Sequence, residues 1–561
     1  MRRPSVQRRA TPYAFDSVHP SRYHRLLAPT MDAPEPAAPD LTMKLPALTR
    51  DRRPRRVTPM LWLLALAVVS SAAGTDATQR VAPPPLHART AQRLIIENAM
   101  VIYGNGRPAF GPADVVVEDG RITRVGTWTT GTARTADAVI DGTGKYVMPG
   151  IVNTHMHWHE WRVPSIPQPV QYERNLYLAA GVTTVRELGG NFRTSKRWQA
   201  ESDAGTIVSP RILVYPRPDL GLLRTSEQIR LGVRRAKQDG ADGLKIGGLD
   251  RDQLEALLDE AHRQGLRTAA HIGVEETTAA DYIELGVDSI EHFYGVADAA
   301  LGGVQRFPPG MNYSDERHRF ARAGELFAQA DPEALRAVVE SMVEHGVAWS
   351  PTLSVYEASR DAVRAQNLPW YPDYLHPSME AFWQPDPERH GSYLAGWTSS
   401  DEAAWRRNYR IWMDALLHFG RRGGLITTGD DAGYIYSLYG FGLIRELELL
   451  EEAGFHPLEV LTHATTNGAK LLGLDDRLGR VRVGYLADLL VVNGNPLENL
   501  RLLNPYGTSV AVDGRSVHGG GIEWTIKDGV PYHVSTLMAE VRDMVDEARA
   551  AGRGRVTAGQ P

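Results

Sequence analysis

With 561 residues, 42% of them hydrophobic and 23% charged, the chain has the composition of a globular protein with room for several domains and a sizeable core. Its net charge is −5, with the signs interspersed and no long basic stripe beyond the N-terminal segment, so nothing calls for a nucleic-acid partner and a small substrate is expected. The absence of cysteine excludes disulfides, thiolate metal ligands and a thiol nucleophile; any metal must be held by His, carboxylate or a modified lysine.

Residues 1–74 read as an upstream extension followed by a secretory signal. Arg52, Arg53, Arg55 and Arg56 precede an apolar run over 60–69, and Ser70, Ser71, Ala72, Ala73 and Gly74 follow it. The run is too short for a stable membrane span, so cleavage after Ala72 or Ala73 and a periplasmic or secreted location are expected, with an uncleaved tether as the alternative. Residues 1–42 sit awkwardly ahead of a signal, which makes Met31 and Met43 rivals of Met1 as the start.

Residues 93–101 (RLIIENAMV), 114–118 (DVVVE) and 121–125 are short strands between Gly and Pro turns, a small β region over 85–148. From there to 472, buried apolar strands alternate with amphipathic helices. Eight strand candidates, 146–157, 182–188, 211–217, 243–247, 267–272, 288–293, 347–354 and 425–431, predict a closed (β/α)8 TIM barrel over 149–472. Residues 250–264 carry Leu254, Leu257, Leu258 and Ala261 on one stripe, and Asp331-Pro332 opens another helix.

Two inserts, 295–330 and 358–400, exceed ordinary loops. The second holds Trp370, Tyr371, Tyr374, Phe382, Trp383, Tyr393 and Trp397, and it is expected either to fold over the barrel mouth or to pack as a surface excursion. A β pattern returns over 473–534. Within 535–561, an amphipathic helix is expected to pack on the protein rather than on a membrane.

Chemistry concentrates at the predicted strand ends. His155 and His157 are two apart, so a strand points both the same way, as gripping one metal requires; a chance pair is the alternative. His159 extends the alternation beyond the strand, as a supporting or substrate group. Lys245 ends the fourth strand, where a desolvated amine has a depressed pKa and can take up carbon dioxide as a carbamate; a salt-bridged lysine is the alternative. His271 and His292 end the fifth and sixth strands. Either alone suits a core, but imidazoles ending three strands converge on one region. Thr427, Thr428, Gly429, Asp430 and Asp431 close the eighth strand, and only one of the two carboxylates can face fully inward.

In this order, His155, His157, Lys245, His271, His292 and a late Asp, the chain resembles the amidohydrolase superfamily, in particular its two-metal imidazolonepropionase-like and Xaa-Pro dipeptidase-like members. The stretches 150–157 (GIVNTHMH), 181–187 (GVTTVRE), 464–473 (ATTNGAKLLG) and 484–496 (GYLADLLVVNGNP) carry the likeness over roughly 93–530. The family's usual Gly-Thr-Asp reads Gly429-Asp430-Asp431 here, which maps the catalytic carboxylate onto Asp431 and leaves Asp430 as its rival.

The resemblance implies a β-sandwich built from both chain ends, 85–148 and 473–534, flanking the barrel. It also implies two divalent metals, zinc first, held by His155, His157, His271, His292 and Asp431 and bridged by Lys245 carboxylated on its amine. Arg186, Glu187, Tyr294 and Tyr356 follow strand ends and are candidates for gripping substrate.

The expected activity is metal-dependent hydrolysis of an amide or peptide-type bond, in an N-acyl amino acid or a dipeptide such as Xaa-Pro. Hydrolysis of cyclic amides, lactones or other esters is the rival within the class, and a noncatalytic ligand-binding protein is the rival outside it. Homo-oligomerisation stays open.

Overall fold

A computed structural model describes residues 83–127, 135–159, 166–273, 276–301, 312, 315–387, 391–512 and 514–552. They fall in one compact unit, Arg80–Pro561; the other, Met1–Gln79, holds the signal-like stretch and the rival starts and lies outside the described residues. Among the described residues no helix is long and apolar enough to cross a membrane.

The chain opens with β1 (Arg93–Val101), β2 (Phe110–Glu118), β3 (Arg121–Gly126), β4 (Ala138–Asp141) and β5 (Lys145–Pro149). Asp119-Gly120 joins β2 to β3 with φ of +48° and +73°, the left-handed pair that a two-residue hairpin demands and Asp-Gly supplies cheaply. The barrel strands follow as β6 (Ile151–Met156), β7 (Val182–Leu188), β8 (Arg211–Tyr215), β9 (Gly243–Ile246), β10 (Arg267–Ala270), β11 (Ser289–Glu291) and β12 (Ala348–Ser350). The chain ends with β13 (Leu489–Asn493), β14 (Thr508–Val512), β15 (Arg515–Gly519), β16 (Ile522–Lys527) and β17 (Val530–His533).

β13 inserts between β5 and β16, giving the order β17-β16-β13-β5-β1-β2-β3 with β4 also on β1. Both chain ends therefore share one eight-stranded sheet. Its inward side chains, among them Leu94, Val115, Ile122, Val147, Leu489 and Ile526, form a core of their own, each burial contributing roughly 1.5–3 kcal/mol. Where a sandwich was expected, the hydrogen bonding makes one continuous sheet, because β4 and β5 pair with successive halves of β1; β14 and β15 form a separate hairpin.

β6-β7-β8 and β9-β10-β11-β12 are two parallel arcs rather than a single closed sheet. Backbone bonds link them: Asp242 N and Lys245 N donate to Val214 O and Pro216 O, and Thr154 N donates to Thr428 O. Two expected strands change. The first breaks at Gly150, where β5 of the flanking sheet hands over to β6. A Cβ there would lie 2.3 Å from the Thr183 hydroxyl, so only glycine permits the approach. The eighth is reduced to a bridge between Ile426 and Trp349, because the backbone leaves the strand path before Asp431, which has φ +42°.

The helices behave as their patterns predict. Asp250 precedes Arg251–Gln264, and the Asp331 carboxylate accepts from Glu333 N and Ala334 N to cap Pro332–Glu344. The last helix, Val534–Ala550, buries Leu537, Val541 and Val545, and its Glu540 accepts from Asn175 of the helix Val170–Ala179, so it packs on the protein. The aromatic insert makes contacts at both of its ends. Trp370 stacks on Phe441, whereas Phe382 meets His159, and Tyr393 stacks 3.8 Å from Phe320 of the first insert, which in turn stacks on Tyr356.

Candidate active site

His155 lies near the end of β6, and His157 follows that strand; the two-residue period brings both to one carboxylate. Asp431 Oδ1 is 3.8 Å from His155 Nε2 and 3.3 Å from His157 Nε2, and Oδ2 is 3.8 Å from His292 Nε2. His271 joins through ring contact, its centroid 4.7 Å from His292 and 5.0 Å from Tyr294, on which it stacks. The four imidazoles thus form one arc, from His157 through His155 and His292 to His271. Asp431, His155 and His292 are buried, with donor atoms within 4.8 Å of one another, a spacing that one cation can span.

Asp430 points elsewhere. It accepts from Asn153 Nδ2 at 2.8 Å and from Gly440 N at 3.2 Å, which ties down the turn after the strand end; burial pushes its carboxyl up to about 7. Between the two aspartates, the geometry puts Asp431 at the histidines.

The imidazoles are oriented from behind. His155 Nδ1 donates to Glu291 Oε2 at 2.7 Å, which turns Nε2 and its lone pair toward Asp431. His292 Nδ1 is 2.6 Å from the Thr352 hydroxyl, with the same consequence, and burial together with the neighbouring His155, His271 and Lys245 holds its ring far below the usual imidazole range, hence neutral. His292 and Thr352 have φ of +62° and +49°, and Asp431 shares this left-handed backbone. Such clustering marks sites where packing over-determines the chain.

Lys245 is buried, and its Nζ has no hydrogen-bond partner among the described residues. Burial lowers its amine to about 7; Arg217 and Arg186 act in the same direction, against Glu291 and Asp431. A buried amine lowered to about 7, with no hydrogen-bond partner among the described residues, departs from the salt-bridged lysine that was the alternative expectation.

The structure separates the four expected substrate contacts. Arg186 lies beneath the histidines rather than at the mouth: its guanidinium donates to Thr154 O, to Ser289 Oγ and, at 2.7 Å, to Glu291 Oε1. Glu187 is buried, and desolvation pushes its carboxyl up to about 8. Tyr294 and Tyr356 do flank the imidazoles. Tyr356 shares a hydrogen bond with Tyr294, and burial, with Tyr294 and Asp431 nearby, raises its phenol well above the usual range, so it stays protonated. His159, also buried, takes its place under Phe382, its backbone N–H donating to Glu173.

Three supports were missed in the sequence. Glu291 was legible in principle, because a carboxylate in a buried strand directly before His292 needs a charged partner. Thr352 and Glu446 gave no local signal. Glu446, on the helix Phe441–Glu452, accepts from Ser354 N at 2.7 Å at the start of the helix Leu353–Arg360, which carries Tyr356. Burial pushes its carboxyl up to about 8.

A pKa raised above its unfolded value adds stability that is complete below about 4.3 and is lost as pH climbs through about 8. Glu446→Gln should therefore match the parent chain at about pH 4 and exceed it at pH 9 by on the order of a few kcal/mol in denaturant unfolding. Equal midpoints at pH 9 would reject the assignment.

A histidine arc with one buried carboxylate, at the C-terminal ends of parallel strands, has the donor set of a cation site and lies where proteins built of alternating strands and helices carry their chemistry. Residues 146–517 match the amidohydrolase family, and the chain belongs to it.

An uncharacterised protein of Mycobacterium tuberculosis is 26% identical over 222 residues, 36% of this chain and 56% of that one. A dihydroorotase of Lactobacillus helveticus is 46% identical over 68 residues, 12% of this chain and 14% of that one. The chain thus spans about half or less of these curated relatives.

Among solved structures, a Xaa-Pro dipeptidase with methionine in its active site aligns at TM-score 0.55 and 20% identity, covering 79% of this chain and 100% of that one. A bottromycin amidohydrolase aligns at 0.57 and 18%, covering 84% and 95%. At such identities the likeness establishes the fold, of TIM-barrel type.

Proposed function

We propose that the chain hydrolyses an amide or peptide-type bond with two divalent cations, zinc first among the candidates, at the mouth of a (β/α)8 barrel whose halves are the two arcs. The observation that carries this reading is the Asp431 carboxylate within 3.3–3.8 Å of three imidazole nitrogens, beside the buried amine of Lys245. His155, His157 and Asp431 would hold one ion and His271 and His292 the other, with Lys245, carboxylated by carbon dioxide, reaching both. Bound there, the cations acidify a water and polarise the substrate carbonyl.

Asp431 takes the proton released on attack onto a carboxylate oxygen and returns it to the leaving nitrogen. Glu291 and Thr352 keep two imidazoles aimed, and Arg186 holds Glu291 in turn. Tyr294 and the protonated Tyr356 offer donors to the carbonyl oxygen as it gains charge. Phe320, Tyr393 and Phe382 keep bulk water out. The likeness to a Xaa-Pro dipeptidase favours a dipeptide or N-acyl amino acid, with proline on the C-terminal side as one form.

The purified chain should carry about two divalent cations and hydrolyse members of a dipeptide and N-acyl amino acid panel; a chelator should abolish turnover and metal restore it. Hydrolysis indifferent to the chelator, or a chain that takes up no metal, would sink the reading. Fast turnover of a neutral ester with every dipeptide inert would move the substrate to the ester class.

A further inference from the structure

The loop after Asp431 adopts a backbone that its sequence resists. Asp431, Ile435 and Tyr436 have φ of +42°, +49° and +62°, a region that a β-branched or aromatic residue rarely enters. Such conformations persist only where the surroundings impose them. One end of the loop is tied to the barrel by Asp431 N donating to His155 O at 3.0 Å, and the other by Gly440 N donating to Asp430.

Between these anchors, the aromatic insert holds it. Trp383 Nε1 donates to Gly433 O at 3.1 Å, and Ile435 N donates to Gly391 O at 2.9 Å. The Tyr436 hydroxyl donates back to Trp383 O at 2.7 Å, and the Tyr371 hydroxyl lies 2.8 Å from Tyr436 O. Trp383 is wholly buried, so its bond to Gly433 O is made away from water.

We propose that the insert is a clamp on this loop, and that Trp383 and Tyr371 are positioning residues that keep Asp431 aimed at the histidine nitrogens. The clamp rests on the reading of Asp431 as the proton carrier. The clamp acts through Asp431, which carries the proton and would help hold one ion, and Trp383 and Tyr371 are given no contact with substrate, so it bears on the chemical step more than on substrate binding; a misplacement of about 1 Å at a reacting group costs on the order of 10²-fold. The aromatic insert thereby has a second task beside roofing the mouth.

The test compares Trp383→Phe, which removes the donor but keeps most of the ring volume, with the milder Tyr371→Phe and with Asp431→Asn. Two readouts are taken: kcat and KM on the best-hydrolysed dipeptide of the panel, and amide hydrogen exchange over 431–440. Trp383→Phe should lower kcat at least about tenfold with KM within about twofold, and speed exchange in the loop about tenfold while β6 is unaffected. Tyr371→Phe should move both in the same direction by less.

Wild-type kcat in the folded variants overturns the proposal, whether or not exchange quickens; if Trp383→Phe does not fold, Tyr371→Phe decides alone. Asp431→Asn separates the two readings. If it stays active, the proton-carrier role fails and takes the positioning role with it. If it is dead while both clamp variants run at wild-type kcat, only the clamp fails.

Discussion

Lys245→Ala is expected to lose turnover by at least on the order of 10³-fold and to bind markedly less metal, while the metal-free chain stays about as stable as the parent. The two halves of this expectation have different physical origins. In the metal-free state the Lys245 amine is buried with no hydrogen-bond partner among the described residues, which costs roughly 1–3 kcal/mol. Truncation relieves that cost and loses the packing of an aliphatic stem of similar worth, so the net change should stay within about 1 kcal/mol. The site, by contrast, loses the group proposed to reach both cations.

An amine lowered to about 7 is substantially neutral at physiological pH and able to combine with carbon dioxide. Short carboxylates such as acetate, entering the space left by the side chain, should restore part of the lost activity in the variant and none in the parent. Unchanged turnover in Lys245→Ala removes the bridging role, and a variant that loses stability along with activity moves Lys245 into the structural frame.

Glu291→Ala should produce the largest loss of stability, about 3–5 kcal/mol in denaturant unfolding, together with a 10–100-fold fall in metal affinity. Glu291 is fully buried among three partners: Arg186, whose own side chain is buried, the Ser289 hydroxyl and His155 Nδ1. Removing the carboxylate strands a guanidinium away from water and frees the imidazole to rotate. The cost is therefore mostly that of an orphaned charge rather than of a lost contact. The double variant Glu291→Ala, Arg186→Met should recover much of the stability and little of the metal affinity. Simple additivity of the two substitutions would show that the pair is not coupled, and unaltered metal affinity in Glu291→Ala would show that His155 does not depend on it.

Much of the frame could be read along the chain because it is local. The alternation of buried strands with amphipathic helices marked the parallel arcs, and Asp-Gly at 119–120 marked a hairpin. Less legible were joints where two distant segments compete for one backbone. The run over 146–157 reads as one strand, yet it divides at Gly150 because Thr183, from β7, occupies the space a side chain would need. The stretch 425–431 reads as a full strand, yet only part of it pairs, since the turn that delivers Asp431 begins before the strand pattern ends.

Within the site, the sequence determined by itself which groups are present and roughly where: a two-residue period turns His155 and His157 to one carboxylate, and strand ends bring Lys245, His271 and His292 to the same rim. Tertiary structure decided how each is aimed. That Arg186 serves Glu291 rather than the mouth, that Glu291 serves His155 across 136 positions of chain, and that Asp431 rather than Asp430 meets the imidazoles all depend on which strands lie side by side. Periodicity assigns a side chain to a face of its own strand, whereas its partner is set by the closure of segments far apart in the chain, and local patterning carries no record of that closure.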